Sequence, residues 1–503
     1  MKITLINTTN LISNDGAHLI SALLKRAGHT VKNVQLSRRR QINLRYEPSE
    51  FEQLHEIIKD TELVMVAVYS SYAIHAIQVT DFIHKKYPGM KVIWGGAHCI
   101  SAPELSLRHA DGVCFAEGDI AIVDLVRKIE SCSDYTNIPN MAFNLNGSCK
   151  INDTLPPFSD LDSLPCYDYS VDDHFLLDNK LLPMTKEKYK EHYVKYPFNS
   201  PTLTLITSRG CPFACTYCNN IRYINMYGHT PIRFQSINRV IDELECAIEN
   251  FDFFQYVAFG DDDFLLRDQK QLLAFSEKYT KNIGLPFGIC VNANTFHKEK
   301  MEILLNAGLK VIQMGIQSGS QRILDEVFDR KTKLAKTKEI ISQIAPYCKS
   351  HGLKLLLDFI IDNPYETRDD IIQTYKFIIN LPPEIDFNIF YLSFFPGTPI
   401  YNRALKDKII EPFNEDTLLF SRKRVIYQRT YETALILLTN FLRNHMKLWQ
   451  YTPRFALHML GSKTIRRIVS PFSSLTFKFL TGIIRCARYF ITLTRFLKSL
   501  LYQ

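Results

Sequence analysis

Residues 202–218 read TLTLITSRGCPFACTYC and carry the densest chemical signal in the chain. The stretch begins as an apolar strand and passes through a Ser-Arg-Gly turn into a loop that holds Cys211, Cys215 and Cys218, separated by three and two residues. Cluster iron is normally held by thiolates. Three thiolates in one short loop therefore predict an iron–sulfur cluster with one iron left open to a small chelating molecule.

A zinc site is the alternative for the same cysteines. Structural zinc takes four protein ligands in a closed site. Asn219 and Asn220 follow the third cysteine, and the nearest candidates for a fourth ligand, His229 and Cys246, stand at no matching spacing. The spacing favours a cluster, and a non-catalytic iron–sulfur or zinc protein is kept as the alternative of another class.

The composition is that of an ordinary globular protein, with 503 residues, of which 46% are hydrophobic and 22% charged. This length predicts about two to four domains. The start, MKITLINTTN, lacks a basic region followed by an apolar core, so we expect a cytoplasmic protein. In a reducing compartment its twelve cysteines are expected to be metal ligands or buried thiols rather than disulfides.

Strands alternate with helical stretches on both sides of the cysteine loop, which predicts an α/β protein. Residues 1–140 are predicted to form a doubly wound, Rossmann-like parallel sheet. Residues 141–199, rich in Pro, Asp and Ser, are predicted to be an irregular linker. Residues 200–405 are predicted to form a partial TIM-type β/α barrel, and residues 406–503 a mostly helical C-terminal region.

The loop resembles that of the radical S-adenosylmethionine (radical SAM) superfamily, in which three cysteines have the same spacings and an aromatic residue, here Tyr217, precedes the last. The resemblance implies a 4Fe–4S cluster on Cys211, Cys215 and Cys218, which passes one electron to S-adenosylmethionine. The cofactor then breaks to methionine and a 5′-deoxyadenosyl radical, which abstracts hydrogen from an unactivated carbon.

Further segments are similar to family segments and occur in the family's order. Asp261 and Asp262 follow a strand at the place where the family binds the methionine amino group, and a carboxylate is a charge-assisted partner for an ammonium. The alternative for them is a surface acidic turn or a helix cap. Asn292, at another strand end, is a further candidate for cofactor binding.

Residues 315–320, Gly-Ile-Gln-Ser-Gly-Ser, resemble the family segment Gly-Ile-Glu-Ser-Gly-Ser. The resemblance implies that Gln317 and Ser318 contact the ribose and carboxylate of the cofactor, although glutamine brings no charge. Arg322 is expected to pair with that carboxylate or to be a solvated helix residue. Residues 362–367 and 395–399, both Pro-containing turns, are expected to shape the site.

The resemblance extends to a cobalamin-binding domain at the N-terminus, through Gly95-Gly96-Ala97-His98, residues 116–119 and residues 160–165. It implies bound cobalamin beyond the carboxyl ends of the strands, with Ser70, Ser71, Gly95 and Gly96 as candidate contacts. The cobalt-binding motif Asp-x-His-x-x-Gly is absent, because His18 lacks the spacing from Asp15. A domain that has lost cobalamin and serves as a scaffold is the alternative.

The C-terminal tail holds the positive charge of the chain. No acidic residue follows Glu432, and eleven Lys and Arg residues lie between Arg443 and Lys498. The basic residues of the last stretch alternate with apolar ones and predict a basic amphipathic helix on an anionic membrane surface, peripheral at the inner face. These residues are Lys478, Arg485, Arg488, Arg495 and Lys498. A helix packed on the barrel is the alternative.

The resemblance implies a cobalamin-dependent methyltransferase that methylates an unactivated carbon of a small-molecule or lipid-like substrate. The runner-up is cobalamin-assisted radical cyclisation or rearrangement without methyl transfer. A methylthiolating enzyme is disfavoured because Cys99, Cys114 and Cys132 do not suggest a second cluster. A flavodoxin or ferredoxin is the expected electron donor, no nucleic-acid partner is expected, and no catalytic residue is assigned.

Overall fold

A computed structural model describes residues 1–9, 12–13, 15–36, 45–145, 147–228, 231–412, 427–445, 449 and 451–501. From residue 488 onward it describes the backbone alone. His229, considered above as a fourth metal ligand, lies outside the described residues.

The strands are β1 Lys2–Asn7, β2 Thr30–Leu36, β3 Leu63–Ala67, β4 Lys91–Gly95, β5 Gly112–Cys114, β6 Met141–Leu145, β7 Ser148–Ile151, β8 His174–Asp178, β9 Lys180–Pro183, β10 Thr202–Leu205, β11 Ser208–Arg209, β12 Arg233–Phe234, β13 Tyr256–Phe259, β14 Phe287–Val291, β15 Leu309–Gln317, β16 Lys354–Ile361 and β17 Asp386–Tyr391.

The helices are α1 Asp15–Arg26, α2 Pro48–Glu52, α3 His55–Ile58, α4 Ala73–Lys86, α5 Ala97–Ser101, α6 Pro103–Ser106, α7 Gly118–Glu130, α8 Lys186–His192, α9 Ile221–Tyr227, α10 Ile237–Asn250, α11 Gln269–Asn282, α12 Lys298–Asn306, α13 Leu334–Ser350, α14 Arg368–Ile379, α15 Pro399–Lys406, α16 Tyr431–Arg443, α17 Arg454–Leu460, α18 Lys463–Val469 and α19 Ser473–Leu501.

The chain folds into two compact units. Unit 1 comprises the described residues of 1–290, 297–310 and 394–424, and unit 2 those of 291–296, 311–393 and 425–503. Unit 1 therefore holds both the N-terminal sheet and the cysteine loop.

In unit 1, nine of the described strands form a sheet of order β7-β6-β5-β4-β3-β1-β2-β8-β9. Its central strands, from β5 to β8, run parallel. Strand β3 shows why the sheet is covered on both faces: Leu63 and Met65 belong to one apolar cluster, and Val64 and Val66 to the other. Such strands have near-continuous hydrophobic sequences. This confirms the predicted doubly wound arrangement.

Residues 141–199 differ from the irregular linker predicted above. Strands β6 and β7 form an antiparallel hairpin that extends the sheet beyond β5, and β8 and β9 form another beside β2. The outer strands β7 and β9 are mostly exposed, so they lack the alternation of buried and exposed residues that identifies a strand. The stretch between the hairpins, 152–173, is largely irregular.

The second series of strands forms the parallel sheet of a partial barrel. In unit 1, β10, β13 and β14 pair in parallel, and in unit 2, β15, β16 and β17 do so. Their order is β10-β13-β14-β15-β16-β17, with a helix after most strands. Helices α16 to α19 form the C-terminal region. Among the described residues, every helix is too short or too polar to cross a membrane.

Candidate cofactor site

The base of the cysteine loop is anchored by Asp261, at the end of β13. Its Oδ1 accepts hydrogen bonds from the backbone N–H groups of Thr207 (2.5 Å) and Ser208 (2.8 Å), and its Oδ2 accepts from Thr207 Oγ1 (2.7 Å). Arg267 Nη1 pairs with the same Oδ2 at 3.0 Å, and both side chains are almost fully buried. Asp261 therefore fixes the chain just before the loop.

Arg267 completes this buried anchor, and sequence reasoning missed it. Its guanidinium lies between the rings of Phe234 and Phe264, 4.9 and 4.5 Å from their centres. Its Nη2 donates to the Thr207 hydroxyl at 2.6 Å. A buried charge is tolerated where it is paired and fully hydrogen-bonded, which is the condition met here.

Asp262, unlike Asp261, is not buried in the protein interior. It is exposed and lines a cavity next to the loop. The pKa of Asp262 is raised, chiefly because the surrounding protein desolvates the carboxylate. A hydrogen bond with Asn220 opposes this rise, and the negative charge of Asp261 adds to it. Its charge also contributes to the raised pKa of Cys211. Of the two predicted carboxylates, Asp262 is the one placed beside the cysteines and open to a ligand.

The three loop cysteines lie close enough to influence one another. Burial raises the pKa of Cys211 to about 12, and Asp262, Cys218 and Cys215 add to the rise. The Cys218 N–H donates to the Cys215 carbonyl at 3.1 Å, which closes the end of the loop. All twelve cysteines are thiols. Bound iron would supply the positive charge that favours the thiolate form.

In the described part of the chain, no three His, Cys, Asp or Glu side chains converge on the position of a single metal ion. An iron–sulfur cluster does not require ligands that converge on one point, because each thiolate of the loop binds a different iron.

The turn at residues 395–399 lies beside the cysteine loop, as expected for a segment that shapes the site. The Ile400 N–H donates to the carbonyl of Thr216 at 3.2 Å, next to the partly exposed Tyr217. Gly397 has φ +77°, and a Cβ there would lie 2.3 Å from Arg222 Nη1. The left-handed backbone favours glycine here, and a larger residue would also have to displace the Arg222 side chain.

A cavity of about 480 Å³ lies between the cysteine loop and the carboxyl ends of the N-terminal sheet. Gly95 and Gly96 line it from β4, and Gly210 and Asp262 from the barrel side. Two elements that are far apart in sequence thus share one ligand-sized space, at the edge where parallel sheets bind ligands.

Two bidentate ion pairs hold the walls of this cavity together. Asp119 accepts from Arg209 Nη1 and Nη2 at 2.7 and 2.9 Å, and Glu117 accepts from Arg233 Nη1 and Nη2 at 2.9 and 2.8 Å. The two arginines belong to the paired strands β11 and β12. The segment 116–119 therefore positions the strand that leads into Cys211.

The interior of the cavity suits a large ligand with both apolar and polar groups. Its inner wall is apolar, with Leu5, Met65, Ile93 and Ile122 among the lining side chains. Gly118 borders the same wall, where an added Cβ would lie 3.3 to 3.4 Å from side chains on three sides. The absence of a side chain at Gly118 therefore keeps this wall closely packed.

Polar residues, two of them with an unpaired side-chain atom, also line the cavity. Gln235 and Arg239 line the cavity and are 6% and 7% exposed, yet Gln235 Oε1 and Arg239 Nε have no hydrogen-bond partner in the described part of the chain. Buried polar groups are normally paired. Asp15 also lines the cavity, and burial raises its pKa to about 8, with a further contribution from Glu243, so it is mostly protonated at neutral pH. The cavity wall therefore carries polar as well as apolar side chains.

Some of the candidate residues in the N-terminal domain line the cavity, and others do not. Gly95 and Gly96 line it, while Ser71 is exposed and outside the lining. Ser70 Oγ lies 3.1 Å from Nδ1 of the buried His98, whose pKa burial lowers to about 4. His98 is therefore a neutral structural residue. The ring nitrogens of His18 lie 2.7 and 2.8 Å from two backbone carbonyl oxygens, which leaves neither to bind cobalt.

In unit 2, the predicted segment 315–320 has an unusual backbone. Gln317 has φ +72° at a β-bulge in β15, and its side-chain amide lies so close to Gly315 that a Cβ there would be 2.3 Å away. Ser318 is fully buried, and its hydroxyl accepts from the Ser320 N–H at 3.1 Å. Asn292, 6% exposed, accepts from the Asn294 N–H at 2.9 Å.

Arg322 lies in an ion pair within unit 2. Its Nη2 lies 2.5 Å from Asp370 Oδ2 and donates to the Tyr365 carbonyl at 2.9 Å. Asp370 also caps the start of α14 through Thr367. The contacts predicted between cofactor and Asn292, Gln317, Ser318 or Arg322 stay predictions.

A polar group on one face of the unit 2 strands was not foreseen. Asp358, in the middle of β16, accepts from Gln313 on β15 at 2.6 Å and from Asn388 on β17 at 2.8 Å. Its neighbour Phe359 points the other way and packs on Phe377 of α14. Burial raises the pKa of Asp358. A single Asp within the apolar run KLLLDFII was the available signal.

Comparison with known proteins agrees with this geometry. Residues 205–378 match the Radical SAM superfamily, and residues 1–126 match the B12 binding domain. The chain belongs to the radical SAM superfamily. Like the cobalamin-dependent members, this radical SAM protein has an N-terminal B12-binding domain, and its cofactors are a 4Fe–4S cluster, S-adenosylmethionine and cobalamin.

Three curated relatives of this radical SAM protein carry different reaction names. It is 26% identical to an uncharacterized methyltransferase of Pyrococcus horikoshii, over 72% of this chain and 74% of the relative. It is 22% identical to the cytidylyl-2-hydroxyethylphosphonate methyltransferase of Streptomyces wedmorensis, over 84% and 81%. It is also 22% identical to the anaerobic magnesium-protoporphyrin IX monomethyl ester cyclase of Rubrivivax gelatinosus, over 59% of this chain and half of the cyclase.

Two solved structures share the fold. The cobalamin-dependent S-adenosylmethionine radical enzyme OxsB, with aqua-cobalamin bound, matches 99% of this chain and 80% of its own, at a TM-score of 0.67 and 14% identity. The radical S-adenosylmethionine methyltransferase TsrM of Kitasatospora setae, with cobalamin and a [4Fe-4S] cluster bound, matches 81% and 78% at a TM-score of 0.63 and 17% identity.

Proposed function

We propose that this radical SAM protein is a methyltransferase that adds a methyl group to an unactivated carbon of a small-molecule or lipid-like substrate. The observation that carries the proposal is the shared cavity, which is lined both by the sheet ends of the B12-binding domain and by the base of the cysteine loop. Two relatives named as methyltransferases each align over about three quarters or more of their length, which supports the same reaction.

The chain's own residues hold and orient the reactants. When bound, the cluster and S-adenosylmethionine supply a carbon-centred radical and cobalamin supplies a methyl group. Cys211, Cys215 and Cys218 hold the cluster, and Asp262 receives the ammonium of the methionine part. The ion pairs of Glu117 and Asp119 hold the cavity wall of the B12-binding domain in a fixed position relative to the cysteine loop. Orientation of this kind is the protein's main contribution to such chemistry.

The polar group on the unit 2 strands is a candidate for binding substrate. Asp358 is held by Gln313 and Asn388, and Phe390, 48% exposed, follows Asn388 at the spacing that puts both on one face of β17. A carboxylate beside an exposed aromatic ring suits a substrate with a hydrogen-bond donor next to an apolar part. The proposal includes a flavodoxin or ferredoxin as electron donor and no nucleic-acid partner.

Cobalamin-assisted cyclisation without methyl transfer is the second candidate. The relatives named as magnesium-protoporphyrin IX monomethyl ester cyclases favour it, although each aligns over only about half of its own length. Both candidates use the same cofactors, so the products of S-adenosylmethionine distinguish them.

The test uses anaerobically reconstituted full-length protein with hydroxocobalamin, dithionite and S-adenosylmethionine. A methyltransferase is expected to form both 5′-deoxyadenosine and S-adenosylhomocysteine, because one molecule of S-adenosylmethionine gives the radical and another gives the methyl group. A cyclase would form 5′-deoxyadenosine alone. Cys215→Ala is expected to abolish both products, whereas Cys246→Ala, a cysteine outside the loop, is expected to retain them. Formation of neither product by the parent protein would contradict the enzyme assignment.

A further inference from the structure

The outward face of the last helix is apolar, where a packed surface helix is normally polar. On α19, Phe477 and Ile484 are 5% and 6% exposed, and the helix packs on α16. Leu475, Phe479 and Ile483 are instead 66%, 66% and 47% exposed. At 3.6 residues per turn these three follow one another along one line, roughly opposite to Phe477 and Ile484. The helix therefore has an apolar stripe on each side.

The exposed stripe continues toward the N-terminus. Ile468 and Phe472 are 64% and 62% exposed and precede Leu475 at spacings of four and three residues. On α17, Phe455 and Met459 are 73% and 54% exposed. Single exposed apolar residues are common, but a run of large ones at helical spacing marks an interaction surface.

The charges around the stripe have one sign. Lys478 and Arg485 are exposed and lie about a quarter turn to one side of the stripe on α19, and Lys463 and Arg467 are exposed on α18. No acidic residue follows Glu432 in the sequence, and Arg488, Arg495 and Lys498 continue the pattern. A second copy of the chain would bring these cations against one another. An anionic bilayer surface complements both the charges and the apolar stripe.

We propose that the stripe formed by Ile468, Phe472, Leu475, Phe479 and Ile483 docks on an anionic membrane surface, with α19 in the plane of the interface. Lys478 and Arg485 then face the lipid phosphates while the stripe enters the boundary between headgroups and acyl chains, the arrangement of interfacial amphipathic helices. This inference stands apart from the reaction proposed above, because it uses only the C-terminal helices of unit 2.

Co-sedimentation of the full-length protein with vesicles tests the proposal. Vesicles of phosphatidylcholine mixed with phosphatidylglycerol are expected to pellet the protein, and vesicles of phosphatidylcholine alone much less, because each basic residue near an anionic surface adds to binding. The variant with Leu475→Ser, Phe479→Ser and Ile483→Ser is expected to partition at least about tenfold more weakly. The matched control changes Leu145, Ile151 and Leu273, which are 39%, 46% and 52% exposed in unit 1, to Ser, and should bind as the parent does.

A variant with Lys478→Gln and Arg485→Gln is expected to show a weaker preference for anionic vesicles than the parent, because five other basic residues of this surface remain. This variant replaces the triple variant as the test if circular dichroism shows that the triple variant does not fold. Equal pelleting of the parent and both variants would overturn the proposal. Self-association of the parent without vesicles, lost in the triple variant by sedimentation velocity, would also overturn it, since the stripe would then bind a second copy.

Discussion

At the scale of single residues, two adjacent aspartates have separate roles. Asp261 is buried against Arg267 and the backbone before the cysteine loop, whereas Asp262 is exposed to the cavity. We predict that Asp261→Ala lowers the free energy of unfolding by about 3–5 kcal/mol, because it leaves Arg267 buried without its partner. Asp262→Ala should leave stability within about 0.5 kcal/mol of the parent and weaken S-adenosylmethionine binding.

Denaturant unfolding of the apo-protein and equilibrium dialysis of S-adenosylmethionine against the reconstituted protein measure the two effects. Asp261→Asn serves as a milder control, since it keeps the shape of the side chain. Equal losses of stability in the two alanine variants would contradict the assignment.

The sequence predicted the ligand-bearing loop more readily than the direction of each side chain. The spacing selected the three cysteines, and the resemblance to the radical SAM superfamily selected both aspartates. Neither could decide which aspartate faces the cavity, because that depends on Arg267, six residues away, turning back between Phe234 and Phe264. Asp358 was also missed, since its partners Gln313 and Asn388 come from neighbouring strands that only the folded sheet brings together.

At the scale of elements, a glycine sets the distance between β15 and α14. A Cβ on Gly319 would lie 2.5 Å from the Cα of Thr374, and the Gly319 N–H donates to the Thr374 hydroxyl at 2.9 Å. We predict that Gly319→Ala destabilises the protein by about 1–3 kcal/mol, because backbone must shift to make room. Gly89→Ala is the control, since a Cβ there meets nothing within 4 Å. Thermal melting curves compare the two, and similar melting temperatures would contradict this account.

The edge strands of the N-terminal sheet were not predicted from the sequence. The buried central strands of both sheets were predicted because their apolar runs are continuous, as in LVMVA. Strands β7 and β9 border the N-terminal sheet and present few buried residues, and β9 ends at Pro183. Proline within sheets is confined to edge strands, strand ends and bulges, and Pro183 stands at the end of such an edge strand.

At the scale of the whole molecule, each unit contains a carboxyl group whose pKa is strongly raised. These are Asp15 in unit 1 and Glu366 in unit 2, both raised to about 8, with burial as the largest cause. In an unfolded chain such groups titrate near pH 4. Between about pH 4 and pH 8 these two carboxyl groups hold protons in the folded protein that they lack in the unfolded chain, so their contribution to the free energy of unfolding falls as the pH rises through this window.

The double variant Asp15→Asn, Glu366→Gln isolates this effect, because its amides cannot ionise. We predict that the difference in stability between the variant and the parent shifts in favour of the variant from about pH 5 to pH 8 and then levels off, since above that pH both carboxylates are charged in the folded and unfolded chain alike. Urea unfolding of the apo-protein across this range measures the difference. A pH-independent difference would show that neither carboxyl keeps its proton in the folded protein near neutral pH. Neither group is among the causes of the other's raised pKa, so single variants should divide the effect between them additively.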